Sequence, residues 1–263
     1  MRAACWLGLV TLVACSNDLE RQSQIERVRV LAIRADPPEL IQPDDGGRPA
    51  PVRLTALAVS PVAASPNVRL ALCRAGNPYS ADFDCPGKDG LDLDGGVVDL
   101  SQPAQWAVFL DAGGVTVGYL ATDGESGERG QERGVRSMPF RTSGVPNQNP
   151  AVLDVLLDGG GSIDGAVLAP DADVTLTPEL AGGSRESYSG DAGERVEDIV
   201  YTWFATGSGT LVDFRSQEPN AVGGLPDTHY QAADAGERVR LWVVARDDRG
   251  GVCWQERDFV VSR

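Results

Sequence analysis

Long apolar runs are missing from this chain, as are most residues that usually do chemistry. The apolar stretch at residues 6–14 (WLGLVTLVA) is nine residues long, far short of the ~20 needed to cross a bilayer as a helix. No later stretch approaches that length. There is one histidine, His229, and one lysine, Lys88. A Ser-His-Asp site would have to use His229. It lies in the turn-rich stretch 223–235, and no G-x-S-x-G elbow accompanies it, so it reads as a surface or loop residue. With no C-x-x-C and a single histidine, the usual zinc spacings are absent. No helical periodicity alternates with the β-rich segments, which argues against an α/β enzyme fold. On these grounds neither a catalytic residue nor a metal ligand nor a cofactor is assigned.

Positive charge is also short. The formal net charge is −15, and loss of Arg2 with a leader would lower it by one. Nucleic acid and anionic lipid surfaces would be repelled. Apart from that exclusion, the acidity is what keeps a secreted protein soluble.

What is present begins with the first fifteen residues. Arg2 opens a short positive start, residues 6–14 form the apolar segment, and Leu12-Val13-Ala14-Cys15 closes it. That is the form of a secretory signal with a small-residue cleavage site and of a lipobox, with cleavage before Cys15 and lipid on its thiol. Residues 1–14 are thus expected to be the signal peptide and residues 15–27 a lipidated, polar tether. Several acyl chains on Cys15 suffice for stable anchoring. Ser16 follows the cysteine directly, which favours the outer membrane, on its periplasmic or surface face.

Of the five cysteines, Cys5 leaves with the signal and Cys15 takes lipid, leaving Cys73, Cys85 and Cys253. The envelope is oxidising. Cys73 and Cys85 bracket a Gly- and Pro-containing loop, so they are the expected disulfide pair, and Cys253 is expected to be a small buried residue on a strand. Gly and Pro are plentiful, 31 and 17, as befits short strands joined by turns.

The strand pattern runs in two similar units. Residues 28–35 (VRVLAIRA) change apolar phase midway, which predicts a bulge or a strand that switches sheets. Strands follow at 52–59, 68–73, 105–110 and 115–121, with a hairpin turn expected at 111–114. Residues 135–141 close the first unit. Residues 144–150 (GVPNQNP) are the linker candidate. The second unit has strands at 151–157, 174–177, 199–206, 239–246 and 252–261, with residues 247–251 as a connecting turn. The expectation is an all-β protein with two antiparallel immunoglobulin-like sandwiches at residues 28–143 and 151–263.

The segments RVLAIRADPPEL and VRLTALAV, then AVLDVLLDGG, then YTWFAT and RVRLWVVARDDRGGVCW resemble uncharacterised lipoproteins of myxobacteria and related groups. That resemblance implies tandem immunoglobulin-like domains behind a lipobox and transfers no catalytic residue. The chain has no paired cysteines of the antibody kind, so the likeness is to the sandwich architecture.

Two features stay open between a structural and a functional reading. Asp89, Asp92 and Asp94 with Gly95 resemble part of a calcium loop, but the full D-x-D-x-D-G run is missing and a plain acidic turn also accounts for them. Trp106 and Trp203 read as core. Trp242 and Trp254 read either as core or as an exposed aromatic patch for sugar or protein contact. The leading expectation is a non-enzymatic, lipid-anchored envelope module for binding, adhesion or spacing. Its partners would be the membrane, through Cys15, and an envelope protein or polysaccharide. The alternatives are a carbohydrate-active enzyme or its accessory domain, with acidic residues as acid and base, and a calcium-stabilised adhesin.

Overall fold

The computed structural model describes residues 21–76, 80, 83–141, 146–190, 193–220 and 223–263. The signal peptide, Cys15 and the first part of the expected linker lie outside the described residues.

The first unit comprises β1 (Arg29–Asp36), β2 (Leu40–Ile41), β3 (Val52–Val59), β4 (Asn67–Cys73), β5 (Gly90–Asp92), β6 (Val97–Val98), α1 (Pro103–Ala112), β7 (Val115–Thr122), β8 (Gln131–Met138) and β9 (Phe140–Arg141). One sheet has the order β1-β3-β6 and the other β5-β4-β7-β8, with β2 pairing parallel to β9. The second unit comprises β10 (Val152–Leu157), β11 (Val167–Leu168), β12 (Asp173–Leu180), β13 (Ser187–Gly190), β14 (Gly193–Val196), β15 (Ile199–Ala205), β16 (Thr210–Leu211), β17 (Arg215–Gln217), β18 (Thr228–Gln231), β19 (Arg238–Asp247) and β20 (Val252–Val261). Its sheets have the orders β10-β12-β18-β16 and β11-β20-β19-β15-β17.

Lettered as an immunoglobulin sandwich, the second unit reads A-B-E, with β16 at its edge, against A′-G-F-C, with β17 at its edge, and the first reads A-B-E against C′-C-F-G. In both units a short A′ strand pairs parallel with the end of strand G. The protein is therefore all-β, built as two immunoglobulin-like sandwiches that share the A-B-E and C-F-G strand arrangement.

Strand alternation explains the cores. On β19, Val239, Leu241, Val243 and Ala245 point inward and are fully buried. They meet Val174 and Leu176 of β12 and Tyr230 of β18 in one cluster, with Trp203 and Phe259. The first core gathers Ile33, Val52, Leu54, Leu72, Val98 and Val117. Cys253 is a free, buried cysteine in the second core, where burial pushes its thiol pKa up.

One expected strand is a helix. Residues 105–110 lie within α1, which starts with Pro103 in its first turn and ends at Gly113 with φ 65°. Proline at the helix start and a left-handed glycine at its end are strong boundary signals. They override the β-rich composition of QWAVFL. Trp106 and Phe109, three residues apart, stack at 5.1 Å. Trp106 is half-buried against the first core, and the predicted turn at 111–114 is this helix's C-terminus followed directly by β7.

Cys73 and Cys85 are joined in a disulfide. It lies on the face of β4 opposite the core, above Gly118 of β7. A Cβ at Gly118 would come 2.5 Å from the Cys85 sulfur, so this strand position needs glycine. The acidic loop after it is more ordered than its composition suggests: β5 pairs with β4, and residues 94–96 form a 3-10 turn.

Candidate functional site: the junction between the sandwiches

The site is built where the sandwiches meet. The bulge in β1 falls between Val30 and Ala32, where the apolar phase changes. It turns Leu31 and Ala32 away from the first core, while Ile33 and Ala35 still point into it. Leu31, Ala32 and Val59 pack on the outer face of the second unit's larger sheet, against Phe204, Trp242, Val244 and Val252. Trp242 is buried and donates its Nε1–H to Glu256 Oε2 at 2.8 Å. Trp254 is half-buried, with the Arg34 guanidinium 5.2 Å from its ring. The open aromatic patch considered for these two tryptophans is thus a covered inter-unit contact. Strand periodicity put Trp242 on the outer face of β19, opposite Val239, Leu241, Val243 and Ala245; nothing in it showed that a second unit sits there.

Residues 21–27 are not a free tether either. The Ile25 amide donates to Ala205 O at 3.1 Å, and the Ala205 amide donates to Ser23 O at 2.8 Å. Ile25 is buried in the same inter-unit cluster. The segment adds a short parallel bridge at the end of β15.

Beside the apolar contact lies a buried charge network. The turn between β19 and β20 carries Arg249 into the junction, where its side chain is 3 % exposed. Its Nη2 lies 3.3 Å from Glu39 of the first unit, and its Nη1 lies 3.2 Å from Glu197 and 3.6 Å from Glu186 of the second. Its guanidinium also sits 5.1 Å from the Tyr188 ring. Arg141 reaches Glu39 from the opposite side at 2.8 Å. The segment expected as a linker contributes too. The Asn147 amide donates to Glu39 at 2.7 Å, and its side-chain amide donates to Asp247 Oδ2 at 3.2 Å. Asn149 donates to Ala35 O and accepts from the Val252 amide. Asp247 Oδ1 accepts from the Arg249 and Gly251 amides, closing the turn. The DDRGG turn is therefore a strand connection, as expected, but its arginine is a buried cross-link rather than a rim charge.

Carboxylates outnumber cations here, and burial pushes the pKa values of Glu197 and Asp247 above their ordinary positions. Each therefore binds its proton more tightly in the folded state than in the unfolded one. That costs stability at pH 7, and the cost is relieved as pH falls through the raised values towards the ordinary carboxylate range near 4. Asp154 and Asp258 are shifted the other way. Their contribution is fully present above the ordinary aspartate pKa and is lost below it. Stability is expected to rise as pH falls through the raised pKa values of Glu197 and Asp247, and to fall once pH drops below the ordinary aspartate value of about 3.9. Melting temperatures across this range would check it, and Glu197→Gln should make the rise shallower.

The other candidate residues are placed apart. His229 is on β18, half-exposed, 3.4 Å from Asp173 of β12, and not in a loop; no serine nucleophile adjoins it in the hydrogen-bond pattern. Asp89 accepts from the Asp84 amide, and Asp92 holds Arg69 bidentately at 2.8 and 2.9 Å. These carboxylates are engaged in protein contacts, and among the described residues no group of three or more potential metal ligands gathers. A cleft of about 280 Å³ beside Trp242 contains Arg240, Glu256 and Asp258. Arg240 pairs with both carboxylates, at 3.2 and 2.8 Å. Hydrogen bonding from Arg240 holds Asp258 below the usual carboxylate range, the opposite of what a general acid requires.

No protein-family model matches the chain, and no curated protein matches it. Among solved structures, fibronectin(III)-like modules of Clostridium thermocellum CbhA align at 13% identity over 88% of this chain and 94% of theirs, with TM-score 0.26. A 1.5-MDa bacterial ice-binding adhesin aligns at 14% identity over 91% of this chain and 66% of its own, TM-score 0.24. A nucleoside hydrolase-related protein from Saccharophagus degradans, associated with carbohydrate metabolism, aligns at 16% identity over 44% of this chain, TM-score 0.27; the alignment spans only 26% of that protein. The sandwich assignment rests on the strand order above and takes nothing from these scores.

Proposed function

We propose that this chain is a non-enzymatic, lipid-anchored module of the cell envelope, held to the outer membrane by acyl groups on Cys15. It presents two fixed sandwiches for binding, adhesion or spacing. The observation that carries the reading is the buried junction. An apolar contact and a charge network together join the units, so the pair acts as one stiff element rather than two beads on a string. Stiffness is what a spacer or a presenter of loops needs. The carboxylates nearest the Trp242 cleft are tied to Arg240, which leaves the enzyme alternative without an acid–base pair at that place.

The docking of residues 23–25 on β15 sharpens the proposal. Five residues separate Cys15 from Arg21, and the six Cα–Cα steps they span reach at most about 20 Å when extended. The Ala205 end of the second sandwich then sits close to the bilayer, and the first sandwich does not hang on a long leash. Metabolic labelling with palmitate, followed by membrane fractionation, tests the anchor. Wild type should carry label and sediment with membranes. Cys15→Ala should lose both, and an unlabelled wild type would rule the anchor out.

A further inference from the structure

We propose that the cleft beside the junction, lined by Arg29, Arg215 and Arg246, binds a small carboxylate ligand. The cleft has a volume of about 460 Å³, the size of an ordinary small-molecule site. Its walls come from both units: Arg29 and Leu31 from β1, Phe204 and Arg246 from the larger sheet, Phe214 and Arg215 from the edge beside it. A second cleft of about 280 Å³ shares Arg246 and adds Arg136. A row of guanidinium groups thus crosses the junction of a chain whose net charge is −15.

These arginines are held by neutral groups, as Arg29 is where its Nη1 donates to Gln22 O at 2.6 Å, and not by the carboxylate pairs found at several other arginines. Arg69, Arg240, Arg249 and Arg257 each pair with a carboxylate. Arg246, in contrast, gives its Nη groups to neutral oxygens, Thr202 Oγ1 at 3.0 Å and Leu31 O at 2.6 Å. Arg136 gives Nη2 to Gly250 O at 2.6 Å. Arg29 and Arg215 lie over the Phe204 and Phe214 rings, at 5.3 and 5.8 Å. Burial and repulsion from Arg136 and Arg215 bring the Arg246 pKa down to about 10. A bound anion would relieve that repulsion.

The cleft's own acids do not take this role. Asp247 faces its turn amides, Asp248 accepts from the Tyr188 hydroxyl, and Asp198 accepts from Asn220. They do set the ligand's charge. With three aspartates, Asp198, Asp247 and Asp248, in its lining and an acidic protein around it, a single carboxylate is tolerated better than a phosphate dianion or a polyanion. The forked guanidinium matches a carboxylate, and Leu31, Phe204 and Phe214 suit the carbon skeleton behind it.

Isothermal titration at constant ionic strength tests this, using D-glucuronate and phenylacetate as probes, with glucose and inorganic phosphate as comparators. At least one carboxylate should bind saturably, and glucose should not. Arg215→Gln removes a charge from an exposed edge position and leaves the junction's hydrogen bonds in place. It should weaken binding about tenfold, whereas Arg240→Gln, on the opposite flank, should leave it unchanged. Binding of phosphate alone, no saturable binding of either carboxylate, or equal binding by wild type and Arg215→Gln would overturn the proposal. The outcome is independent of whether Cys15 carries lipid.

Discussion

Replacing Arg249 by methionine is expected to destabilise the protein by about 3–5 kcal/mol, the usual cost of breaking a buried ion pair by removing one partner. The cause is the group left behind. Glu39 and Glu197 have side chains with 0% exposure, and without Arg249 the buried glutamates lose their shared cation. Arg141, whose side chain is 40% exposed, reaches only Glu39. Because the network bridges the two sandwiches, the loss should fall on their docking. Urea unfolding of the variant is expected to separate into two transitions, where the wild type shows stronger coupling between units. Adding Glu39→Gln and Glu197→Gln to Arg249→Met should recover much of the loss, since it removes the stranded charges. A variant that unfolds like wild type would mean that the apolar contact alone holds the junction.

The second large effect is expected at the disulfide. Reducing the Cys73–Cys85 bond, or replacing both cysteines by alanine, should cost about 3 kcal/mol in the chain-entropy account of a loop of this size. The sequence separation is 12, and the bond ties the loop after β4 back to that strand, with Phe83 packed beside it. The loss should be confined to the first sandwich. Gly118→Val should reproduce it from the other side, because a side chain there collides with both sulfurs. Denaturation followed by near-ultraviolet circular dichroism, with and without reductant, measures the size of the effect. Equal midpoints for oxidised and reduced protein would show that the loop is held by packing alone.

The legible part of the fold was the part written in local periodicity. Alternation on β3 and β19 showed which faces turn inward, and the inward set of β19 is the one found buried. The phase change in residues 28–35 announced the bulge in β1. Two cysteines in one loop announced their bond. The helix α1 was hidden because its apolar residues satisfy both a strand reading and a short helix reading, and only Pro103 and Gly113 separate the two. The hairpin of β13 and β14 was hidden for a different reason: its residues are polar and mostly exposed, so no buried face marks them.

By itself, the order of residues determined an all-β chain, two similar sets of strands, the inward faces of β3 and β19 and a disulfide pair. Each follows from interactions between residues near in sequence or from the period-two geometry of a strand. Only the tertiary structure decided what the outward faces meet. Trp242 became a buried contact, Arg249 a cross-link among three glutamates and Arg246 part of a row of like charges in a cleft. An outward-pointing residue is solvated or buried according to what docks on it. That partner can lie more than two hundred residues away along the chain, as Leu31 does from Arg246, where no local pattern reaches.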